Sequence, residues 1–325
     1  MTHALITGGA GFIGSHLSET LLAAGHQVTI IDNLSTGRFE NIAHLSENRY
    51  FRFAIEDIRN TSVMDRLVSE CDVIYHLAAA VGVQRIISNP IETIETNIGG
   101  TEVVLATARR YRKKVLIAST SEVYGKGVRI PFSEDDDSLL GPTIRNRWSY
   151  AASKMIDEFL ALAYHKEVGL PVVVFRLFNT VGPRQSGQYG MVVPRFVRWA
   201  IQNEPIMVYG DGEQQRCFGN VYDVVKAIRD LGESPRAIGE VFNIGSNEEI
   251  SIGGLAERVR ARAGSTSEIR YIPYEEAYET GFEDFRRRVP SIDKIRAAIE
   301  WEPTLTLDET IDQIIAYQRE QINHA

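Results

Sequence analysis

The sequence predicts an α/β protein built on a doubly wound parallel sheet, and three observations support this prediction. An apolar strand pattern at 4–7 leads directly into a glycine-rich turn and then a helical pattern. Strand and helix patterns continue to alternate as far as about residue 175, which is typical of parallel strands joined by crossover helices. Hydroxyl side chains stand where one predicted strand ends, and parallel sheets bind ligands at that edge.

The first turn predicts a dinucleotide site. Gly8, Gly11 and Gly14 have the spacing that permits a tight turn, a close approach to a pyrophosphate and close packing of a helix. The second predicted strand ends in Asp32, 18 residues after Gly14, where a carboxylate would bind both ribose hydroxyls and repel a 2′-phosphate. NAD is therefore favoured, although Arg38 nearby leaves room for NADP. A structural glycine turn with a capping Asp is the alternative.

Two further strands end in residues suited to a bound cofactor. A strand at 50–55 is followed by Asp57 and Ile58, which are expected at the edge of an adenine. A strand at 73–76 leads into Leu77-Ala78-Ala79, where mostly small side chains would let a cofactor lie against the backbone. Both strands would place these residues at the carboxyl edge of the sheet, beside the glycine turn.

A tyrosine and a lysine four residues apart predict a general base. Tyr150 and Lys154 would share one face of a helix predicted over 148–168. An adjacent ammonium favours an ionised phenol, and lowering a phenol pKa of about 10 by roughly three units takes about 4 kcal/mol. Thr120 follows a strand at 115–118 and would lie at the ligand-binding edge. An ordinary amphipathic pair on a surface helix is the alternative.

Composition narrows the partners and the compartment. The chain has 325 residues and a net charge of −8, which gives no reason to expect nucleic acid or an anionic membrane as a partner. Cys71 and Cys217 are too few for a disulfide framework or a metal cage, so we expect no metal. No stretch approaches the roughly 18 apolar residues of a membrane helix, and no secretory signal pattern opens the sequence. We therefore expect a cytoplasmic protein.

The character of the sequence changes after Arg176. Gly, Pro and Arg are concentrated between 179 and 195, and shorter strand and helix patterns follow. We predict a dinucleotide-binding domain over 1–178 and a smaller α/β lobe for the substrate over 179–325. Part of 206–232 is expected to return to the main sheet.

Together these motifs resemble the extended short-chain dehydrogenase/reductase family, whose core is a Rossmann fold, and within it the enzymes that modify nucleotide-diphosphate sugars. The resemblance covers nearly the whole chain. It includes the runs 57–58, 76–79, 178–184, 208–212, 216–218 and 242–245. It implies a homodimer, formed through the helices near 90–112 and 148–168, and a UDP-sugar or UDP-uronate substrate.

The resemblance also implies roles for individual residues. NAD would stay bound through the whole cycle, with Thr120 and Tyr150 at the sugar C4 hydroxyl. The cofactor-binding residues would be Gly8, Gly11, Phe12, Ile13, Gly14, Asp32, Asn33, Asp57, Ile58, Leu77, Ala78, Ala79, Asn97, Tyr150 and Lys154. The substrate-binding residues would be Asn179, Arg184, Val193, Val208, Tyr209, Arg216 and Arg288.

Three reactions of such enzymes share a first step, in which Tyr150 takes the C4 proton while the C4 hydride passes to the nicotinamide. A 4-epimerase then returns the hydride to the other face of the sugar. A 4,6-dehydratase removes the C5 proton and expels the C6 hydroxyl. A decarboxylase acts on a uronate, whose C6 carboxylate is β to the new ketone and leaves as carbon dioxide.

Glu122 favours the decarboxylase among these reactions. Thr120 and Glu122 would lie on one side of an extended segment, and simple epimerisation has little use for a carboxylate there. The run 119–125 is similar to that of decarboxylases and dehydratases. The run 281–291 is similar to that of bacterial uronate decarboxylases, in which the position of Arg288 faces the carboxylate, although an Arg fork suits a diphosphate equally well. The run 150–154 is more similar to that of epimerases and dehydratases.

We therefore predict an NAD-dependent UDP-glucuronate decarboxylase that forms a UDP-pentose or its 4-keto form. Its catalytic residues would be Thr120, Glu122, Tyr150 and Lys154. The alternatives are a UDP-glucuronate or UDP-glucose 4-epimerase, then a nucleotide-sugar 4,6-dehydratase. A non-enzymatic scaffold that senses NAD is the alternative from a different class.

Overall fold

A seven-stranded parallel sheet dominates the computed structural model, which describes residues 1–82, 88–188, 190–273, 276 and 286–323. In chain order its strands are β1 (His3–Thr7), β2 (Gln27–Asp32), β3 (Phe51–Ile55), β4 (Val73–His76), β5 (Lys114–Thr120), β6 (Val172–Leu177) and β11 (Val241–Ile244). Their order across the sheet is β11-β6-β5-β4-β1-β2-β3. This confirms the predicted doubly wound sheet.

Helices cover both faces of the main sheet. They are α1 (Phe12–Ala23), α2 (Thr61–Glu70), α3 (Pro90–Tyr111), α4 (Arg147–Val168), α6 (Val221–Glu233) and α8 (Asp293–Ile299). Side chains of α1, α6 and α8 share one apolar core with the sheet, and side chains of α2, α3 and α4 share the other. Because both faces are covered, the central strands are continuous apolar runs such as 172–175.

The smaller lobe has its own apolar core, formed by α5 (Val192–Gln202), α7 (Ile252–Ala263) and α9 (Leu307–Asn323) together with β8 (Ile206–Tyr209). Its remaining strands are β7 (Thr180–Val181), β9 (Gln215–Cys217), β10 (Gly219–Asn220), β12 (Glu249–Ser251), β13 (Ile269–Ile272) and β14 (Arg287–Arg288). β8 pairs with β13, and β9 pairs with both β12 and β14.

The second half of the chain returns to the main domain through three elements, one of which is α8, packed beside β11. α6 packs against α1, and β11 adds the last strand beside β6. By contrast β8, at 206–209, stays in the smaller lobe. The proposed domain boundary at 178 falls between β6 and β7, so the chain crosses from the main sheet to the lobe there and crosses back afterwards.

No helix among the described residues is both long enough and apolar enough to span a membrane.

Candidate active site

A cavity of about 560 Å³ lies along the carboxyl edge of the main sheet and is closed on its other side by the smaller lobe. The cavity wall includes most of the residues predicted for the site. On the side of the main sheet these are Gly8, Gly11, Phe12, Ile13, Gly14, Asp32, Asn33, Asp57, Ile58, Leu77, Ala78, Ala79, Thr120, Glu122, Tyr150 and Lys154. On the side of the smaller lobe they are Asn179, Arg184, Val193, Tyr209, Arg216 and Arg288.

The glycine turn is packed too closely for larger residues. Gly8 has a φ of 71°, and a Cβ there would lie 2.8 Å from the backbone nitrogen of Ala78. A Cβ on Gly14 would lie 2.3 Å from the carbonyl oxygen of Gly8. Gly11 precedes α1 and supplies no side-chain cap, so the first N–H groups of the helix can face an anion in the cavity. This geometry fits a pyrophosphate.

The Asp32 carboxylate is fixed at the end of β2 by two backbone amides. Its Oδ2 accepts a hydrogen bond from Ala10 N at 3.0 Å, and its Oδ1 accepts one from Leu34 N at 2.8 Å. Burial raises the pKa of Asp32, and the two hydrogen bonds oppose that rise. The position and acceptor chemistry of this carboxylate fit a ribose diol.

Asp57 and Asn33 meet at the same end of the cavity. Asn33 Nδ2 donates to Asp57 Oδ2 at 3.3 Å. Arg59 also donates to both oxygens of Asp57, through Nε at 2.9 Å and Nη2 at 2.8 Å, and this pairing lowers the pKa of Asp57 to about 2. The Asp57 carboxylate is therefore ionised at neutral pH and faces polar partners.

Tyr150 and Lys154 both line the cavity from the first turns of α4, with Thr120 at the end of β5 beside them. Tyr150 is 9% exposed, and the Thr120 side chain close to its phenol lowers the phenol pKa. Thr120 Oγ1 also accepts a hydrogen bond from Glu122 N at 3.2 Å. The side chains of Thr120, Tyr150 and Glu122 therefore lie close together at one place in the cavity wall.

The pKa of Tyr150 is shifted in the direction opposite to the one that the sequence predicted. Burial raises the pKa of the Tyr150 phenol, the nearby Glu122 and Asp157 carboxylates raise it further, and the Thr120 side chain opposes this rise. Burial is the largest cause, and the positive charge of Lys154 is also compensated, because its ammonium donates to Asp157 Oδ2 at 2.6 Å. The Asp157 carboxylate therefore compensates much of the positive charge of Lys154 that was expected to act on the phenol.

Glu122 lies between two arginines from distant parts of the chain. Its Oε1 is 3.0 Å from Arg288 Nη2, and its Oε2 is 3.7 Å from Arg147 Nη2. All three side chains are at least four-fifths buried and line the cavity. This cluster of Glu122, Arg147 and Arg288 places two guanidinium groups and one carboxylate together at the cavity wall.

Arg147 was missed by the sequence analysis. It begins α4 and stands three residues before Tyr150, so the two share a helical face. That spacing was the signal that could have identified it.

Several backbone contacts hold Arg288 in place. β14 pairs in parallel with β9, which brings Arg288 into register with Arg216. Just beyond Arg288, Phe132 N donates to Val289 O at 2.8 Å, and Ser291 N donates to Phe132 O at 2.7 Å. The segment carrying Arg288 is thus tied both to the smaller lobe and to the loop that follows β5.

Two predicted site residues lie away from the cavity wall. Asn97 is buried between Ala80 and Ser153: its Oδ1 accepts from Ala80 N at 2.7 Å and its Nδ2 donates to Ser153 Oγ at 3.1 Å. Val208 packs in the apolar core of the smaller lobe, whereas Met207 and Tyr209 line the cavity, because neighbouring residues on a strand face opposite sides.

Two further arginines of the wall have partners within the protein. Arg184 pairs with Glu19 at 2.5 Å and donates to Ser15 Oγ at 3.2 Å, both on α1. Arg195 donates to Tyr209 OH at 2.7 Å and stacks over the same ring. The Arg195 contacts hold the Tyr209 ring in place at the cavity wall. The Arg184 contacts link the smaller lobe to α1, the helix that follows the glycine turn.

Residues 5–314 match the family model described as GDP-mannose 4,6 dehydratase. The chain belongs to this family. It is an extended short-chain dehydrogenase/reductase, as the sequence motifs predicted.

Relatives of this extended short-chain dehydrogenase/reductase include several decarboxylases. The chain is 44% identical over 318 residues to UDP-N-acetyl-alpha-D-glucosaminuronate decarboxylase of Bacillus cytotoxicus, covering 97% of each chain. It is 39% identical over 320 residues to UDP-glucuronic acid decarboxylase 1 of Xenopus tropicalis, covering 98% of this chain and 73% of that one.

Among solved structures, the chain resembles UDP-glucuronic acid 4-epimerase from Bacillus cereus in complex with UDP-glucuronic acid and NAD. The identity is 29%, the TM-score is 0.89, and 98% of this chain and 99% of that one are covered. It also resembles dTDP-glucose 4,6-dehydratase from Bacillus anthracis in complex with NAD, at 27% identity and a TM-score of 0.87, covering 99% and 98% of the two chains.

Proposed function

We propose that the protein is an NAD-dependent decarboxylase of a UDP-uronate, which oxidises the sugar transiently at C4. The observation that carries this proposal is the Glu122, Arg147 and Arg288 cluster beside Tyr150. An arginine pair suits a diphosphate as well, but this cluster lies beside Tyr150, whose pKa burial and the Glu122 carboxylate raise. Tyr150 would act at C4 of the sugar, and a uronate carries its carboxylate nearby, at C6. The decarboxylase relatives, which align over nearly the whole chain, support the same reaction.

The cofactor end of the cavity supports NAD. The first amides of α1 would hold the pyrophosphate, Asp32 would accept the hydroxyls of the adenosine ribose, and Asp57 with Ile58 would flank the adenine. Tyr150 and Lys154 would lie at the nicotinamide end. When bound, NAD accepts the hydride from the sugar and later returns it.

Tyr150 would begin the reaction by accepting the proton of the C4 hydroxyl, with Thr120 holding that hydroxyl by a hydrogen bond. The sugar becomes a 4-ketone, and its C6 carboxylate is then β to a carbonyl. When the C5–C6 bond breaks, its electron pair moves into the enolate of the ketone and carbon dioxide leaves. The phenol of Tyr150, now protonated, would donate to the enolate oxygen.

The charged cluster would bind and orient the carboxylate. Arginine forks recognise carboxylates in two-point geometry, and Arg288 and Arg147 approach Glu122 from different elements. A substrate carboxylate entering here would share these two cations with Glu122. Glu122 takes part as a carboxylate and carries no proton of its own. The proton that replaces the lost carboxyl group at C5 would therefore come from solvent, through a water molecule held by the Glu122 carboxylate.

A UDP-uronate 4-epimerase is the second candidate. The run 150–154 and the fold similarity to the Bacillus cereus 4-epimerase favour it. The two arginines would bind a uronate in that case as well, so the candidates differ in whether the carboxylate survives.

Product analysis separates the candidates. The protein is incubated with UDP-glucuronate, with UDP-N-acetylglucosaminuronate and with UDP-glucose, and the nucleotide products are weighed by mass spectrometry while carbon dioxide is collected. We expect carbon dioxide and a lighter UDP-pentose, or its 4-keto form, from at least one uronate. A C4 epimer of unchanged mass would overturn the proposal, and loss of water from UDP-glucose would indicate a dehydratase. Bound NAD with no turnover of any substrate would favour the sensing scaffold.

We also propose a homodimer formed through α3 and α4. Phe159 is 70% exposed and Ile156 is 46% exposed on one face of α4, and Ile91 and Ile94 are exposed on α3, which packs beside it. Exposed apolar groups clustered on two adjacent helices are typical of a self-association surface. Light scattering is expected to give a dimer, and Phe159→Asp is expected to give a monomer. A monomeric wild-type protein would contradict this.

A further inference from the structure

We propose that Asp157 is a positioning residue for Lys154, and that its buried carboxylate sets how much positive charge faces the Tyr150 phenol. Lys154 Nζ and Asp157 Oδ2 are 2.6 Å apart, and their side chains are 3% and 0% exposed. The pair lies on α4, one turn after Tyr150. This inference rests on the proposed role of Tyr150 as the base.

Asp157 is the direct counter-ion of Lys154, because the other charged groups near the pair have different partners or are neutral. Glu158, the next residue, is directed to Arg176 of β6, whose guanidinium donates to both of its oxygens. His76 at the end of β4 is buried against the hydroxyls of Thr7 and Thr101, and burial with the nearby Lys154 lowers its pKa to about 3. His76 is therefore neutral at working pH.

Other neighbours act on Asp157 or on Tyr150 rather than on the ammonium. The Thr101 side chain of α3 lies close to Asp157 and opposes the rise that burial causes in the pKa of Asp157. Glu122, in the turn after β5, faces Tyr150. Among the described residues that face the pair, Asp157 is the carboxylate in contact with Lys154.

Two charges this close and this buried act as one nearly neutral unit on a third group nearby. The ammonium alone would favour the phenolate, because an opposite charge within about 4–6 Å stabilises an ionised group. Asp157 cancels part of that effect and also keeps the long Lys154 side chain in one position. Its presence therefore moves the working range of Tyr150 toward higher pH.

The test measures the first half-reaction alone, as the rate at which enzyme-bound NAD is reduced by substrate in a single turnover, across a range of pH. For Asp157→Asn, the midpoint of the acid limb is expected to fall by about one unit or more relative to the wild type. The side chain keeps its size and can still accept a hydrogen bond from Lys154. An unchanged midpoint, or one moved to higher pH, overturns the inference.

Glu158→Gln is the matched control. It removes the charge of a buried carboxylate from the next position of the same helix, but its partner is Arg176. This variant is expected to melt at a lower temperature and to keep the acid limb of the wild type. An equal shift in both variants would mean that any buried negative charge on α4 acts in the same way, and the specific role of Asp157 would be overturned.

A second variant covers the case in which Asp157→Asn does not fold. Asp157→Glu keeps the charge but moves it relative to Lys154, so a smaller displacement of the acid limb is expected, and no displacement overturns the inference. If the wild type itself does not reduce its NAD with any UDP-sugar, the proposed function has failed instead. The two failures are thus distinguishable.

Discussion

The two ends of the cavity are built differently. Close packing of the backbone shapes the cofactor end, whereas buried ion pairs shape the sugar end. The glycine turn has no room for a Cβ at Gly8 or Gly14, and the amides of α1 need no side chain. At the sugar end, Glu122, Arg147 and Arg288 come from three separate elements and are held by ion pairs. Steric changes are therefore expected to damage the first end, and charge changes the second.

Tyr150→Phe is expected to have the largest effect, because it removes the atom that takes the proton and leaves both ends of the cavity intact. Loss of a general base costs a factor of about 10² to 10⁴ in rate. Rapid mixing with substrate would show this as slow reduction of bound NAD, while calorimetry shows unchanged cofactor binding. Near-normal turnover would place the base elsewhere.

Arg288→Met tests the charged end. Removing one partner of a buried charge pair typically costs about 2–5 kcal/mol, so kcat/KM for UDP-glucuronate is expected to fall by a factor on the order of 30 or more. The affinity for NAD is expected to stay the same. Arg286→Met is the matched control, because Arg286 stands two residues earlier and its side chain is 88% exposed. Equal losses in both variants would argue against a specific role for Arg288.

Gly14→Ala tests the close backbone packing at the cofactor end of the cavity. The new Cβ would lie 2.3 Å from the Gly8 carbonyl oxygen, and overpacking of this kind costs about 1–3 kcal/mol of stability. The turn must also shift, so weaker NAD binding is expected in calorimetry. Gly99→Ala in α3 meets no atom within 4 Å and is expected to stabilise the helix by about 0.5–1 kcal/mol. Unchanged cofactor affinity in Gly14→Ala would contradict the steric account.

The pH dependence of the wild-type rate of NAD reduction is the smallest of the expected effects. Tyr150 acts as a base only when it is ionised, and burial and Glu122 raise its pKa. The rate of NAD reduction is therefore expected to rise with pH toward the alkaline range. Below the pKa of the phenol, the rate is expected to fall about tenfold per pH unit, as the ionisation of a single group requires. A rate independent of pH would show that this phenol is not the group that takes the proton.

The same contrast explains what the sequence could predict. Gly8, Gly11, Gly14 and Asp32 could be assigned to one predicted site because the geometry of a strand–turn–helix unit depends on residues close together in the chain. The pairing of Arg288 with Glu122 depends on how distant segments fold together, so the sequence left Arg288 open between a carboxylate and a diphosphate. No local pattern gave this pairing.

Charge balance was the hardest feature to predict. The sequence indicated that Lys154 would lower the pKa of Tyr150, but burial and the contact with Asp157 outweigh that effect. Arg147 was overlooked although its spacing from Tyr150 was visible. Both errors concern how buried charges compensate one another, which depends on distances that only the folded chain fixes.

The most direct measurement follows the C6 carbon of the substrate. UDP-glucuronate and UDP-N-acetylglucosaminuronate, each labelled isotopically at C6, are incubated with the protein, and the label is traced in the gas phase and in the nucleotide. The account predicts that the label of the accepted uronate leaves as carbon dioxide in step with formation of a lighter UDP-sugar. Label retained in a UDP-uronate of unchanged mass, inverted at C4, would contradict it.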